Sequence, residues 1–596
     1  MKAILEALYP MDSSVHEGLQ SLIKRYKTKK KANAQWIESG NTVGMMLYVD
    51  LFAGDLETLG EKVDYFLDLG VTLLHLMPLL KPRSGENDGG YAVQDYRAVD
   101  PQIGDMETLK KVIAIYHKAG IKICIDYVIN HTADDHAWAI AAKAGDPHYL
   151  DYYFVHDDAH IPQQMEKHLG QVFPKVAPGN YTYLPDLGKW VMTTFYPYQW
   201  DLNYANPNVL LEMIENLLFL ASIGVDMIRL DAIPYIWKRM ETDCRNLPEV
   251  HQILNLFRMV ISQCYPNTAL LGEAIMTPEV IKRYFGSEAK PECHILYNAS
   301  YMVEIWNSLA TRDARHLSLM PRYAVPENSV WINYARCHDD IGWGLDEEKI
   351  RQLGFDSHAH KSFLIDFYLG SLPGSFAVGE LYEFNPETMD ARNSGTLASL
   401  AGLEKALAEK DRYAKELAIK RIQLIHAMVL LKKGIPMLYS GDEVGQLNDY
   451  SYRNVAAKNR DSRWLHRPAF NSAALEHLKS CNHPVALVYE SIKETIALRK
   501  KVSEHAFIDE EIAIPEGNDH IFVLLQKLSN GDDVLLLFNL TEDRRWFYTS
   551  TANRYGLRGM WMDLLSGKTV DLESESVLLG PYEYLMLKIC KKDLIL

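Results

Sequence analysis

The chain alternates between amphipathic helical segments and short apolar runs, and a glycine often separates the two. Residues 56–69 predict a helix that ends at Gly70, and the apolar run 71–77 predicts the strand after it. Residues 109–119 and 121–128 repeat this order around a second glycine. In the first of these helices the apolar positions are Leu56, Leu59, Val63, Phe66 and Leu67.

Six further apolar runs are typical of buried parallel strands, at residues 45–49, 224–233, 270–273, 295–298, 330–335 and 434–440. The dipeptide Asn206-Pro207 supplies an N-cap and a first-turn proline for a helix that runs to Gly224. Helices and strands that alternate over eight strands predict an α/β fold, the (β/α)₈ TIM barrel.

Two connections between these strands are much longer than ordinary loops. One runs from His131 to Asn206, and the other runs from Asp340 to a helix near Ala414. Both begin where a strand ends, which is the side on which such barrels carry their active sites. Beyond residue 500, two apolar runs flank Asn530-Gly531 and predict a hairpin in a separate antiparallel domain.

These patterns divide the chain into seven segments. A helical segment at 1–40 precedes a catalytic barrel made of residues 41–131, 206–340 and 413–500. Two inserted subdomains occupy 132–205 and 341–412, and a C-terminal β-sandwich domain occupies 501–596.

Composition and charge narrow the possible functions. A chain of 596 residues is too long to fold around a single hydrophobic core. Its 62 basic and 78 acidic residues give a net charge of −16. This charge argues against nucleic acid or an anionic membrane as a partner. The seven cysteines are scattered without a C-x-x-C pair, so we expect neither a disulfide framework nor a zinc site. Early acidic residues argue against a signal peptide, and we expect a cytoplasmic protein.

Polar residues collect at the ends of the predicted strands: Asp126, Asn130, His131, Arg229, Asp231, Glu273, His338, Asp339 and Asp340. The side chains of Arg229 and Asp231 share one face of their strand, and that pair alone could be structural. No H-E-x-x-H, phosphate loop or G-x-S-x-G sequence occurs. Several carboxylates without a metal motif or an activated serine indicate glycoside chemistry.

These residues stand in motifs that resemble the four signature regions of the α-amylase superfamily: Asp126-Tyr-Val-Ile-Asn-His131, Arg229-Leu-Asp231, Glu273 and His338-Asp339. Gln199-Trp-Asp-Leu-Asn203 resembles the fifth region. Within the superfamily the chain is most similar to the amylosucrases, over motifs at 49–54, 88–93, 200–204, 338–343, 441–444 and 461–464. The resemblance covers nearly the whole chain from about residue 40.

The resemblance implies a retaining enzyme that transfers glucose from sucrose to an α-1,4-glucan, releases fructose, and needs no cofactor or metal. A monomer or a homodimer fits it. Asp231 is then the nucleophile, held ionised by Arg229, and Glu273 is the acid/base with a raised pKa. Asp339 binds sugar hydroxyls. The other implied sugar-binding residues are Asp88, Tyr91, His131, Phe195, Glu292, His338, Asp340, Arg392 and Arg463.

Pocket shape decides which substrates such a site accepts. The resemblance implies that Asp88 and Arg463 form an ion pair that closes the pocket beyond one glucosyl unit. Charge alone would favour two surface residues, and the flanking motifs Asp-Gly-Gly-Tyr and Asp-Ser-Arg-Trp reverse that preference. It also implies arginines at two positions where this chain has Gly170 and Lys361.

Two alternative functions remain open at the level of sequence. In a sucrose hydrolase, or another α-glucosidase of this family, water would take the place of the acceptor. A non-catalytic binding protein with an amylase fold could dispense with the carboxylates, whereas this chain keeps Asp231, Glu273 and Asp339. No structural calcium is expected, because the insert at 132–205 lacks a compact carboxylate cluster.

Overall fold

The centre of the molecule is a closed barrel of eight parallel strands in the computed structural model. The model describes residues 1–28, 34–320, 325–504, 506–574 and 576–589. The barrel strands are β1 (Gly44–Leu47), β2 (Leu73–Leu76), β3 (Lys122–Val128), β4 (Met227–Asp231), β5 (Ala269–Gly272), β6 (Ile295–Tyr297), β7 (Val330–Tyr334) and β8 (Ile435–Tyr439). Each strand pairs with its neighbours in sequence, and β8 closes on β1. The predicted TIM barrel is confirmed.

The register of β3 and β4 places the charged residues together at one end of the barrel. Arg229 pairs with Asp126, and Asp231 at the end of β4 pairs with Val128 at the end of β3. Every residue of β4 is buried, so its charged side chains need partners inside the barrel. The strand ends are therefore the place to look for a site.

The helices that follow the barrel strands include Val63–Leu69, Met106–Lys118, Pro207–Ser222, Pro248–Cys264, Ala299–Thr311, Arg412–Leu430 and Pro484–Ser503. The Asn206 side chain accepts a hydrogen bond from the Asn208 N–H, as its predicted N-cap role requires. The prediction of one helix over 56–69 is wrong. The chain forms Leu56–Gly60 and Val63–Leu69 instead, because Gly60 is a weak helix former and the backbone turns after it. Leu67 is 45% exposed and does not belong to the apolar face.

The first long connection folds on the barrel end where β3 finishes. Its helices are Ala137–Lys143, Pro147–Leu150 and His160–Met165, and its three-stranded sheet contains Val155–His156, Tyr181–Leu184 and Lys189–Met192. Strand Gln199–Asp201 returns antiparallel to His131–Ala133, so Asp201 lies beside His131.

The second long connection leaves the barrel after β7. Its elements are the helices Glu347–Gln352, Ser357–Leu369, Leu397–Leu400 and Leu403–Ala408 and the hairpin strands Glu380–Asn385 and Asp390–Ser394. The hairpin is tied back to the end of β7 by an antiparallel bridge between Ile341 and Asn393.

The N-terminal end of the chain forms helices, and the C-terminal end forms sheets. Helices Lys2–Leu8 and Ser14–Tyr26 bury Leu5 and Leu19, and the Tyr9 hydroxyl donates to the Tyr204 carbonyl. The C-terminal region has a six-stranded antiparallel sheet and a two-stranded sheet around their own apolar core.

The six strands are Ile508–Ala513, Ile521–Leu528, Asp533–Asn539, Met560–Asp563, Thr569–Asp571 and Tyr584–Ile589, and the two are Arg545–Tyr548 and Ser576–Leu579. The predicted hairpin is present, with Gly531 at a φ of 81° in its turn. Across the described ranges, every helix is too short or too polar to cross a lipid bilayer.

Candidate active site

Arg229 joins three carboxylates at the carboxyl end of the barrel. Its Nη1 donates to Asp126 Oδ1 and lies 2.8 Å from Asp231 Oδ1, and its Nη2 lies 2.8 Å from Glu273 Oε1. The Ala232 N–H, just after β4, donates to the other Glu273 oxygen at 3.0 Å. One buried guanidinium thus fixes the positions of the predicted nucleophile and the predicted acid/base.

Asp126 and Asp231 differ in their electrostatics. Burial alone would raise the pKa of Asp126, but Arg229 and His75 lower it to about 2. Burial and the Glu273 charge raise the pKa of Asp231, because Arg229 offsets them only in part. Burial and a neighbouring carboxylate thus both disfavour the ionised form of Asp231, and Arg229 is the cation that counteracts them.

Aromatic and imidazole side chains form one wall beside these carboxylates. The Tyr91 ring stacks on the His338 ring at 5.3 Å, and the Tyr91 hydroxyl lies 2.7 Å from His338 Nε2. His131 Nε2 lies 3.2 Å from the Tyr91 carbonyl oxygen. Burial lowers the pKa of His131 to about 4 and that of His338 well below its usual value. Both imidazoles are therefore neutral near pH 7, and the buried His338 Nδ1 has no hydrogen-bond partner among the described residues.

The ion pair between Asp88 and Arg463 is present. Arg463 Nη2 donates to Asp88 Oδ1 at 2.9 Å, and the exposed fractions of the two side chains are 6% and 9%. Arg463 also contacts Asp461 at 2.8 Å and Asp339 at 3.4 Å. Burial raises the pKa of Asp88 in spite of the nearby guanidinium. The pair is thus an interior one that adjoins Asp339, not a surface salt bridge.

Four of the sugar-binding residues implied by the resemblance differ in the contacts of their side chains. Phe195 packs 5.1 Å from the His131 ring, and Arg392 Nη1 lies 3.7 Å from the buried Asp340 carboxylate. Glu292 makes its described contact elsewhere, with His251 Nδ1 at 2.8 Å. The roles of all four remain predictions.

The two positions without the expected arginine differ in their surroundings. Lys361 forms a salt bridge of 2.6 Å with Asp390. At Gly170 an added Cβ would lie 3.1 Å from Nη2 of Arg245. A guanidinium is therefore present beside Gly170, supplied from another segment of the chain.

Two residues beside Asp339 were not predicted from the sequence. Arg467 Nη2 lies 3.7 Å from Asp339 Oδ1, and its Nη1 is buried without a hydrogen-bond partner among the described residues. The buried Tyr48 hydroxyl likewise has no partner in the described part of the chain. Arg467 follows the motif at 461–464 by three residues, but no residue pattern indicated its contact.

Lys238 was also missed, and it connects the first insertion to the barrel. Its Nζ forms an ion pair with Asp201 and donates to Asn130 Oδ1 at 3.1 Å and to the Tyr235 carbonyl. The exposed fractions of the Lys238 and Asp201 side chains are 2% and 0%. Asp201 in turn accepts from the Thr194 N–H at 2.9 Å, one residue before Phe195. A lysine seven residues beyond the nucleophile carries no signal of this role in the sequence.

Among the described residues, one group places three potential metal-binding atoms within 4.8 Å of one another. It consists of Cys337, His338 and Asp339. This arrangement is poorly suited to a cation. Burial raises the pKa of the Cys337 thiol, and His338 Nε2 is engaged by Tyr91. Two guanidinium groups already flank Asp339, so the local positive charge disfavours a further cation.

Comparison with known sequences places this geometry in context. The chain matches the family model of the alpha amylase catalytic domain over residues 21–331. A trehalose synthase from Pimelobacter sp. (strain R48) is 30% identical over 66% of this chain and 63% of that enzyme. The match thus spans less than two thirds of that relative. A glucosylglycerate phosphorylase from Spirochaeta thermophila is 26% identical, with 98% of both chains covered.

Solved structures share the fold at lower sequence identity. The sucrose 6F-phosphate phosphorylase of Thermoanaerobacter thermosaccharolyticum superposes on this chain with a TM-score of 0.65 at 18% identity. The superposition covers 91% of this chain and 98% of that enzyme. The trehalulose synthase MutB of Pseudomonas mesoacidophila MX-45 gives a TM-score of 0.63 at 18% identity, with 94% and 100% covered. At this identity the likeness establishes the fold alone.

Proposed function

The chain belongs to the α-amylase family of sugar-active enzymes, and from this premise we propose that it is a retaining glucosyltransferase of the amylosucrase type. Its donor is sucrose, its product is an α-1,4-glucan, and fructose is released. The observation that carries the proposal is the buried pair Asp88–Arg463, which adjoins Asp339 at one end of the carboxylate cluster.

A buried ion pair in this position suits a pocket for one terminal glucosyl unit. A polymer that threads through the site would need open space beyond the unit that is cleaved, and two paired side chains with little exposure leave no such opening between them. Sucrose has a single glucosyl unit and fits this restriction. An endo-acting amylase does not.

The first half-reaction forms a glucosyl-enzyme. Asp231 Oδ attacks the anomeric carbon, the bond from that carbon to the bridging oxygen breaks, and Glu273 gives its proton to that oxygen, so that fructose leaves neutral. Arg229 contacts both carboxylates and holds them on one side of the barrel end. Asp339, with the neutral imidazoles of His131 and His338, hydrogen-bonds the ring hydroxyls.

The second half-reaction transfers the glucosyl group to the acceptor. The 4-hydroxyl of the terminal glucan residue attacks the anomeric carbon, the bond to Asp231 breaks, and the hydroxyl proton passes to Glu273. Two inversions give net retention. The chemistry is complete with these side chains.

Two neighbouring reactions use the same glucosyl-enzyme. Water as the acceptor would make the chain a sucrose hydrolase. Phosphate as the acceptor would make it a phosphorylase, and the likeness to the glucosylglycerate phosphorylase of Spirochaeta thermophila, aligned over 98% of both chains, favours testing that reaction.

A product assay separates these reactions. The purified protein is incubated with sucrose alone, with sucrose and maltoheptaose, and with sucrose and inorganic phosphate. We expect more fructose than free glucose, with the difference recovered as α-1,4-glucan and increased by maltoheptaose. Equal glucose and fructose would identify a hydrolase, and glucose 1-phosphate formed only with phosphate would identify a phosphorylase. Absence of fructose in all three mixtures would exclude sucrose as the donor.

A further inference from the structure

Arg245 lies in the loop after β4, between two residues whose backbone is left-handed. Cys244 has a φ of 55° and Asn246 a φ of 54°, a conformation that is unfavourable for a residue other than glycine. Both neighbours are anchored. The Arg239 N–H donates to Cys244 Sγ at 3.4 Å, and the Asn246 N–H donates to the Pro234 carbonyl at 2.9 Å. The backbone at Arg245 is therefore fixed before any ligand binds.

The Arg245 side chain crosses from this loop to the first insertion. Its guanidinium carbon lies 5.2 Å from the centre of the Tyr235 ring, and its Nη2 lies 3.1 Å from the position of a Cβ at Gly170. The missing side chain at Gly170 leaves the space that the guanidinium occupies. Arg245 forms no salt bridge with any described residue, so its forked donors are not taken up by a carboxylate.

A row of rings connects this guanidinium to the glucosyl pocket. The Tyr235 ring lies 5.3 Å from the Phe195 ring, and the Phe195 ring lies 5.1 Å from the His131 ring. Tyr235 ends the short helical turn after Ala232, whose N–H donates to Glu273. Glu273 also contributes to the raised pKa of Tyr235, after burial. The row of His131, Phe195 and Tyr235 therefore begins beside the catalytic carboxylates and ends at Arg245.

We infer that Arg245 is a specificity-determining residue of the acceptor side, where its guanidinium hydrogen-bonds hydroxyl groups of the incoming α-glucan. The row of rings offers apolar faces to the acceptor sugars, and Arg245 supplies fixed donors at its outer end. Arg245 acts on the second half-reaction and takes no part in forming the glucosyl-enzyme. This inference rests on the proposed glucosyl transfer and names the group that selects glucan over water.

The experiment compares Arg245→Ala and Arg245→Lys with the wild type and with Arg239→Ala. Arg239 is a matched control, because it lies in the same loop but forms a salt bridge with Glu249. Each protein is assayed with sucrose alone and with sucrose plus a series of maltoheptaose concentrations, and free glucose and elongated glucan are quantified. α-Glucosyl fluoride serves as a second donor, so that the acceptor step is measured even if sucrose is not cleaved. Circular dichroism checks that each variant is folded.

In Arg245→Ala we expect the KM for maltoheptaose to rise at least tenfold and free glucose to increase at the expense of glucan. Turnover without maltoheptaose should fall less than threefold. Arg245→Lys keeps the positive charge but lacks the paired donors of a guanidinium. Its KM for maltoheptaose should lie between those of the wild type and Arg245→Ala. An unchanged acceptor KM in folded Arg245→Ala overturns the inference, and so does an equal rise in Arg239→Ala. A wild type that cleaves neither donor refutes the proposed function instead.

Discussion

Arg463 Nη2 donates to Asp88 Oδ1 across 2.9 Å and so joins two loops that are 375 residues apart in the chain. The same guanidinium contacts Asp461 and Asp339, so it holds the loop after β2 and the loop after β8 against the carboxylate cluster. Both side chains of the pair are more than nine-tenths buried. In the proposed function this contact sets the depth of the glucosyl pocket.

Removal of the Arg463 charge should weaken sucrose binding strongly. Arg463→Ala leaves Asp88 buried without its partner, and breaking a buried pair costs about 3–5 kcal/mol. We expect the KM for sucrose to rise at least a hundredfold, and we expect cleavage of maltooligosaccharides to increase as the pocket opens. Initial rates on both substrates measure the effect. The control is Arg460→Ala, an exposed arginine of the same loop. Sucrose kinetics equal to those of the control would show that the pair does not shape the pocket.

Loss of either catalytic carboxylate should stop turnover while the fold persists. Asp231→Asn replaces the nucleophile with an amide that cannot attack, and we expect at least a 10⁴-fold lower kcat on sucrose. Glu273→Gln removes the proton donor, and the loss should be smaller with α-glucosyl fluoride, because fluoride leaves without a proton. Sucrose activity near that of the wild type in either variant would contradict the assigned roles.

The reaction should proceed with retention. A retaining pair of carboxyl groups lies about 5–5.5 Å apart, and we expect this separation between Asp231 and Glu273 in a complex with a bound glucosyl unit. The stereochemistry can be read independently by proton NMR during sucrose turnover. We expect the α-anomer of glucose or of the new linkage to form first. The β-anomer as the first product would indicate an inverting mechanism.

The buried ammonium of Lys238 should matter for stability. Lys238→Met removes the partner of the fully buried Asp201, and we expect a loss of about 3–5 kcal/mol in the free energy of unfolding. The double variant Lys238→Met/Asp201→Asn should recover part of this loss, since it removes the uncompensated charge. Lys189→Met is the control, because its salt-bridge partner Asp157 is exposed and such surface pairs contribute little to stability. Urea unfolding monitored by tryptophan fluorescence measures all three, and equal effects of the two single variants would contradict the prediction.

His136 should make the protein less stable in mild acid. Burial lowers the pKa of His136 to about 4, below the value near 6.5 of an unfolded histidine. The unfolded chain therefore binds the proton first as the pH falls, and the stability present above pH 6.5 is progressively lost down to about pH 4. Between pH 6.5 and 5 this loss is about 2 kcal/mol.

His136→Asn should remove that part of the pH dependence while it keeps a helix cap, because the His136 ring accepts from the Trp138 N–H. The free energy of unfolding at pH 7.5 and at pH 5 is the measurement, and the exposed His160→Asn is the control. The same pH dependence in both variants would show that His136 is not responsible.

The sequence by itself determined the eight strands and the placement of Asp126, Arg229, Asp231 and Glu273 at their ends. Apolar runs between glycine-terminated helices are local signals, and parallel strands whose polar residues stand at one end can close only with those residues together. The sequence did not reveal the break in the helix at 56–69, because an isolated glycine such as Gly60 is often tolerated within a helix. It did not reveal the exposure of Leu67 either, because an apolar residue carries the same signal whether it faces the core or the solvent.

Only the tertiary structure decided the contacts between distant loops. Lys238 pairs with Asp201, Arg467 approaches Asp339, and Arg245 fills the space beside Gly170, and no spacing along the chain encodes any of these contacts. The placement of the raised pKa on Asp231 also depends on how one guanidinium is shared among three buried carboxylates. Strands follow from local periodicity, whereas charges in loops find their partners only through the packing of the whole chain.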